Sequence, residues 1–279
     1  MSLTQISHQL RRFDSFQQSN QSGSAASRMI RKMRNMGLAV NAKAFPILLP
    51  DEFNQLVQMT LQKIETSDFP RPSLKDELKN IFLLCVASGA RISEIYNLRR
   101  VDIKVFHNQP YLFIRKGKTK AAKRWICLTE FDWAKRYLPD LEILALKNPE
   151  PMLETKKSLS EERIRATLLF PNIHLWFKNI YKKKDKSLQN TGIGRKLKDH
   201  LQDSYEELFK EKQDPISIHI IRHFYAFYSL QEIVRKHYWK GSFNYALCSL
   251  ATQMGHSSFI PTVFSYVGTG CLALDFKEQ

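Results

Sequence analysis

Apolar positions recur at helical spacing from about residue 50 onward. Phe53, Leu56, Val57, Leu61 and Ile64 fall on one face of a helix for which Pro50-Asp51 supplies the N-cap. A second helix starts at the cap Ser73 and runs from Leu74 to Ala87, with Gly89 placed to end it. A third, short helix follows at about Ile92 to Leu98. The period then changes. Tyr111 to Ile114 and Trp125 to Leu128 are short β-prone runs separated by a basic segment containing Gly117, a hairpin with a long, positively charged loop. From Phe131 the pattern is mainly helical again, with helices expected at Gly192 to Phe209, Ile218 to Val234 and Asn244 to Met254. The stretch from about Lys147 to Ser187 is Lys-rich and irregular and reads as an insertion. No internal repeat is visible. The expected class is mainly α with a small antiparallel β-sheet.

The N-terminal part reads differently. Residues 14 to 27 are polar and small, a linker composition, and Arg28, Arg31, Lys32 and Arg34 among apolar neighbours suggest a short basic helix. Two regions are therefore expected: an N-terminal segment and linker over 1–45, and a globular domain over 46–279 carrying the insertion at about 147–187.

Charge narrows the function classes. Lys and Arg number 43 against 27 Asp and Glu, a formal net charge of +16, while 43% hydrophobic residues suffice for a core. Such an excess calls for a polyanion, with nucleic acid first and an anionic membrane face second. The longest apolar run, Ile81 to Ala87, has seven residues and is far too short to span a bilayer. The four cysteines form no Cys-x-x-Cys pair, which points away from a disulfide framework or zinc ribbon and toward a reducing, cytoplasmic compartment.

Four segments hold the candidate chemistry: Ser88-Gly89-Ala90-Arg91-Ile92-Ser93-Glu94, Lys116-Gly117-Lys118-Thr119-Lys120, His219-Ile220-Ile221-Arg222-His223, and Gly255-His256 with Tyr266 ten residues later. Simpler readings of each fail or stay weak. Gly117-Lys118-Thr119 is no phosphate loop, because the Gly required five residues earlier is Leu112. His219 and His223 have zinc-helix spacing, but Ile220 stands where a catalytic Glu belongs and Arg222 would sit beside the cation. Together the segments contain what metal-free phosphodiester cleavage needs. Arginine forks stabilise charge on non-bridging oxygens, a phenol serves as nucleophile, a lysine protonates the leaving oxygen, and histidines orient the phosphate and accept the phenolic proton.

The order Arg, Lys, His-x-x-Arg, Gly-His, Tyr resembles the tyrosine recombinase (phage-type integrase) superfamily over about residues 46 to 279. The resemblance implies the family's catalytic-domain fold and metal- and ATP-independent cleavage and rejoining through a 3′-phosphotyrosine, with no cofactor. It implies Tyr266 as nucleophile, Arg91, His219, Arg222 and His256 around the phosphate, Glu94 in support, and Lys118 (or Lys120) as general acid. Arg99, Arg100, Lys116, Lys120, Lys123 and Arg124 would then track the DNA backbone, and the lysines at 182, 183, 184 and 186 are further candidates for it. The implied partners are double-stranded DNA and other copies of the chain, as a tetramer on paired sites, through the tail after Tyr266. Mobile-element origin in a bacterium or phage would fit. The His-to-Tyr step is ten residues rather than the family's commoner nine, where Ser265 stands, and no core-binding domain fits before Pro46. A fragment of a longer protein, or a short member that binds DNA differently, is therefore expected. A type IB topoisomerase-like relaxing enzyme, a non-catalytic DNA-binding protein on the same scaffold and an RNA-binding protein are the alternatives.

Overall fold

The computed structural model describes residues 48–116, 123–141, 164–165, 167–180, 186–210, 216–237 and 242–256. The expectations for the N-terminal segment and its basic helix, most of the Lys-rich insertion, and the C-terminal tail fall outside them. What is described is mainly helical with one three-stranded antiparallel sheet.

Helix α1 (Pro50–Thr66) is capped from inside. The N-cap is Leu49, whose N–H donates to Glu52 Oε2 at 2.7 Å, while Pro50 occupies the first helical position, where a missing N–H is harmless. Its buried face is Phe53, Leu56, Val57, Thr60 and Ile64; Leu61 is only half-buried. The buried Thr60 hydroxyl is satisfied by donating to Leu56 O at 2.7 Å. Helix α2 (Pro72–Ser88) likewise starts one residue before the expected cap, with Arg71 at the N-cap and Pro72 leading, so Ser73 lies inside the first turn. Its second half is buried on all sides and contacts α1 and four other helices, which makes it the central strut. Gly89 ends it in the left-handed region at φ +61°, its N–H bonded to Cys85 O at 3.0 Å. Helix α3 (Ile92–Tyr96) follows and stops two residues short of Leu98.

The sheet holds one strand more than the hydrophobic pattern gave. Strands β1 (Ile103–Phe106), β2 (Gln109–Ile114) and β3 (Arg124–Cys127) run in that order, β1 turning into β2 through His107 and Asn108. Both turn residues have positive φ, 48° and 62°, as a two-residue primed turn demands. His-Asn lacks the glycine that usually announces such a turn, which hid β1. Leu112, Ile114 and Ile126 form the sheet's inner face, none more than 1% exposed.

After α4 (Asp132–Lys135) comes a correction to the insertion. Residues 171–180 form helix α5 (Pro171–Ile180), and Phe170, Ile173 and Phe177 belong to the core. Glu77 of α2 caps this helix, accepting from Asn172 N at 3.1 Å and Ile173 N at 2.8 Å. The irregular insertion expected over 147–187 thus contains a structural helix. Helix α6 (Lys186–Leu208) begins before the expected Gly192 and lies along α1, with Lys63 and Glu207 paired at 2.7 Å. Helices α7 (Ile220–His237) and α8 (Phe243–Gln253) close the fold. Phe53 of α1 sits amid Phe224 and Tyr228 of α7 and Trp133 of α4, with ring centroids 4.8 to 6.3 Å away. This cluster ties the two ends of the described chain together. Among the described residues no helix is long and apolar enough to cross a membrane.

Candidate active site

Three chain reversals meet beneath the sheet: the end of α2, the start of α7 and the end of α8. Each is shaped by local rules. Arg91 is the N-cap residue of α3, and Glu94, three positions on, reaches back so that Arg91 N–H donates to Glu94 Oε2 at 2.9 Å. The Arg-x-x-Glu spacing is therefore half of a capping box, with the arginine side chain released to pair with Glu94 Oε1 at 3.0 Å through Nη1. Helix α8 ends in a Schellman motif: Gly255 N–H donates to Thr252 O at 2.8 Å and His256 N–H to Ala251 O at 2.9 Å, with Gly255 at φ +68°. That motif fixes where His256 stands. His219 immediately precedes α7, its carbonyl accepting from Arg222 N at 3.1 Å.

Arg222 joins all three reversals. Its side chain is buried, donates through Nη1 to Gly89 O at 2.6 Å and through Nη2 to Met254 O, and lies 3.4 Å from His256 Nε2. A guanidinium can only donate, so Nε2 of His256 accepts and its ring proton is assigned to Nδ1. Arg91, His219 and Arg222 line one cleft of about 210 Å³ whose wall includes Ala90, Ser93 and Cys85. Burial pushes the Cys85 thiol far up, so it stays protonated and inert.

Electrostatics make both histidines neutral at pH 7. Desolvation first, then His223, Arg222 and Arg91, bring His219 down to about 4, although it stands exposed at the lip of the cleft. Desolvation and then Arg222, Arg91 and Arg124 bring His256 to about 4 as well. Burial alone would raise Glu94; hydrogen bonds and charge from Arg124, then Arg91, overcome it and hold the carboxyl below its ordinary range. Three guanidinium groups against one carboxylate, with two neutral imidazoles beside them, leave an excess of positive charge at the cleft.

Arg124 is the residue the sequence pattern misassigned. It was expected to track DNA, but it is 5% exposed, and its guanidinium bonds Glu94 Oε1 and Oε2 at 3.2 and 2.9 Å and Gln253 O at 2.6 Å. Strand alternation carries the signal that could have found it: with Trp125 outside, Arg124 must point inward. Gly255 is needed beside it, since a Cβ there would lie 3.0 Å from Arg124 Nη1. Among the other expected backbone-tracking residues, Lys116 and Lys123 are exposed, while Arg99 and Arg100 are half-buried at a 3₁₀ turn, with Arg99 N–H held by Asp102 at 2.9 Å. Lys118, Lys120 and Tyr266 lie outside the described residues. Tyr225, near the cleft, is no substitute nucleophile: it is 1% exposed, its hydroxyl donates to Gln253 Oε1 at 3.2 Å, and burial pushes its pKa up.

Comparison with protein-family models, with curated proteins and with solved structures returns no match for this chain.

Proposed function

We propose that this chain is a DNA strand transferase of the tyrosine recombinase kind, cleaving and rejoining duplex DNA through a 3′-phosphotyrosine. The observation that carries the reading is the meeting of Arg91, His219 and Arg222 around one cleft, with His256, from a third distant stretch of sequence, 3.4 Å from Arg222. The mainly helical fold with a small antiparallel sheet is consistent with it.

In this reading Tyr266 Oη attacks the scissile phosphorus and the P–O5′ bond breaks. The phenolic proton passes to the neutral imidazole of His219, because Nε2 of His256 already accepts from Arg222 and orients it, and the departing 5′-oxygen takes a proton from Lys118 or, failing that, Lys120. Arg91 and Arg222 neutralise the charge that builds on the non-bridging oxygens. Glu94 holds Arg91 at its post. Attack by a 5′-hydroxyl on the phosphotyrosine reverses every step, so no metal, cofactor or nucleotide is consumed. Lys116 contacts the flanking backbone, and several copies of the chain assemble on paired sites.

The test is covalent capture. The full chain is incubated with a pool of nicked duplexes of randomised sequence, and protein-linked DNA is recovered after denaturation. An adduct is expected for the native chain and none for Tyr266→Phe, which still binds duplex. Absence of any adduct, or an adduct formed by Tyr266→Phe, overturns the assignment. Plasmid relaxation without strand exchange between two sites would point to a topoisomerase-like enzyme instead.

A further inference from the structure

Strand β3 sends consecutive side chains to opposite faces of the sheet. Arg124 points into the cleft region, while Trp125 stands on the outer face, 42% exposed. Around it lies a connected set of rings. Trp125 is 4.6 Å from Phe113 and 5.8 Å from Phe106, and Phe106 is 5.7 Å from Tyr111. Phe106 itself is 50% exposed. The register places Phe113 opposite Trp125, and Tyr111 between Lys104 and Cys127.

Cations edge the rings. Arg115 Cζ lies 5.6 Å and Lys123 Nζ 5.9 Å from the Phe113 centroid, and Lys104 is exposed across from Tyr111. The strand positions on this face include no Asp or Glu. Of the nearby carboxylates, Asp102 is 1% exposed and holds Arg115 Nε at 2.6 Å from within, and Glu130 follows the end of β3.

We propose that this outer face binds single-stranded nucleic acid, its rings stacking on unpaired bases while Lys104, Arg115 and Lys123 follow the phosphates. Charge decides between occupants. A second copy of this chain would bring the same cations against themselves, in a protein already at +16. A duplex satisfies the cations but hides the faces of its bases, leaving exposed rings without a purpose. An unpaired strand offers both a π-face and a phosphate at each nucleotide. The platform faces away from the cleft and does not depend on the cleavage reaction.

The test uses the full chain, a fluorescein-labelled oligothymidylate of about ten nucleotides, and a labelled duplex of unrelated sequence at the same salt. The Phe106→Ser, Trp125→Ser double variant is expected to lose about ten- to hundredfold in affinity for the single strand. Its duplex affinity stays unchanged, and Trp125→Tyr restores most of the loss. Independently of any destabilisation, oligothymidylate should quench the native tryptophan emission but not that of Trp125→Phe. The proposal is overturned by undiminished single-strand binding in the double variant, by an equal loss on duplex, or by quenching that survives in Trp125→Phe. It is also overturned if the double variant converts a sedimenting dimer to monomer, since a second copy would then be the occupant. The tyrosine-adduct assay reads covalent capture and this one reads stacking at Trp125, so the two readings fail separately.

Discussion

Arg124 and Glu94 meet fork to fork inside the molecule, Nη2 to Oε2 at 2.9 Å and Nη1 to Oε1 at 3.2 Å, with side chains 2% and 1% exposed. Through this pair the sheet holds the turn that presents Arg91, and through Gln253 O it holds the turn that presents His256. A buried ion pair is costly to break from one side, because the surviving charge is stranded away from water. Arg124→Ala is therefore expected to destabilise the fold by about 3–5 kcal/mol in urea unfolding. Arg124→Met with Glu94→Leu should cost far less than the sum of the single changes, and additive losses would refute the coupling.

Arg222 and Arg91 share the proposed chemistry but differ in what they do for the fold. Arg222 donates to carbonyls of two distant segments, Gly89 and Met254, whereas Arg91 keeps its side chain 22% exposed at the cleft. Arg222→Ala strands two buried carbonyls and opens a cavity, for a loss of about 3 kcal/mol or more. Arg91→Ala is expected to shift the unfolding midpoint much less while abolishing the proposed covalent adduct. Equal destabilisation by the two substitutions would contradict this difference.

Gly89 has two reasons to remain glycine. Its φ is +61°, and a Cβ there would fall 2.3 Å from Tyr225 Cδ1, in the packed interior. Gly89→Ala should destabilise by more than about 1 kcal/mol, the backbone term alone, because the ring has no room to retreat. The displaced Gly89 carbonyl would also release Arg222, so adduct formation should fall beyond what unfolding explains. Thermal unfolding and covalent capture measured on the same preparation check both parts.

The local geometry around the cleft follows spacing rules, of which only the Gly89 helix end was read from the sequence. Arg-x-x-Glu marks a capped helix start, Gly-His marks a Schellman end, and Gly89 marks the end of α2; each is a local rule that a sequence expresses within a few residues. Helix starts at Pro50 and Pro72 shifted by two residues because proline at the first turn, not a polar side chain, opens them. Strand β1 and helix α5 were missed for different reasons. The first hides behind a His-Asn turn, and the second is apolar sequence set in a lysine-rich neighbourhood whose composition dominated the reading. Arg124 was misread because its partners, Glu94 and Gln253, lie 30 and 129 residues away. Charge on a strand says nothing of which face it serves until the register is known.

The two neutral histidines give the molecule a pH signature. His219 and His256 both titrate near 4 in the fold against an ordinary 6.5, so between those values the unfolded chain binds protons that the native chain refuses. Their contribution to stability is complete above about pH 6.5 and is lost as pH falls toward about 4. Glu94, held below its ordinary range, adds a loss only below about pH 4.5, whereas Glu77 and Asp102, raised by burial, act with the opposite sign. The readout is therefore a difference between variants. Urea midpoints of the native chain should fall between pH 7 and 5, and His256→Gln should show a shallower fall; parallel curves would remove His256 from the account. An anion in the cleft reverses the balance by favouring charged imidazoles beside it. Phosphate or duplex DNA should then bind with net proton uptake at pH 5.5, measured by calorimetry in two buffers of different ionisation enthalpy. His256→Gln should diminish that uptake, and uptake that persists unchanged would mean the anion sits elsewhere.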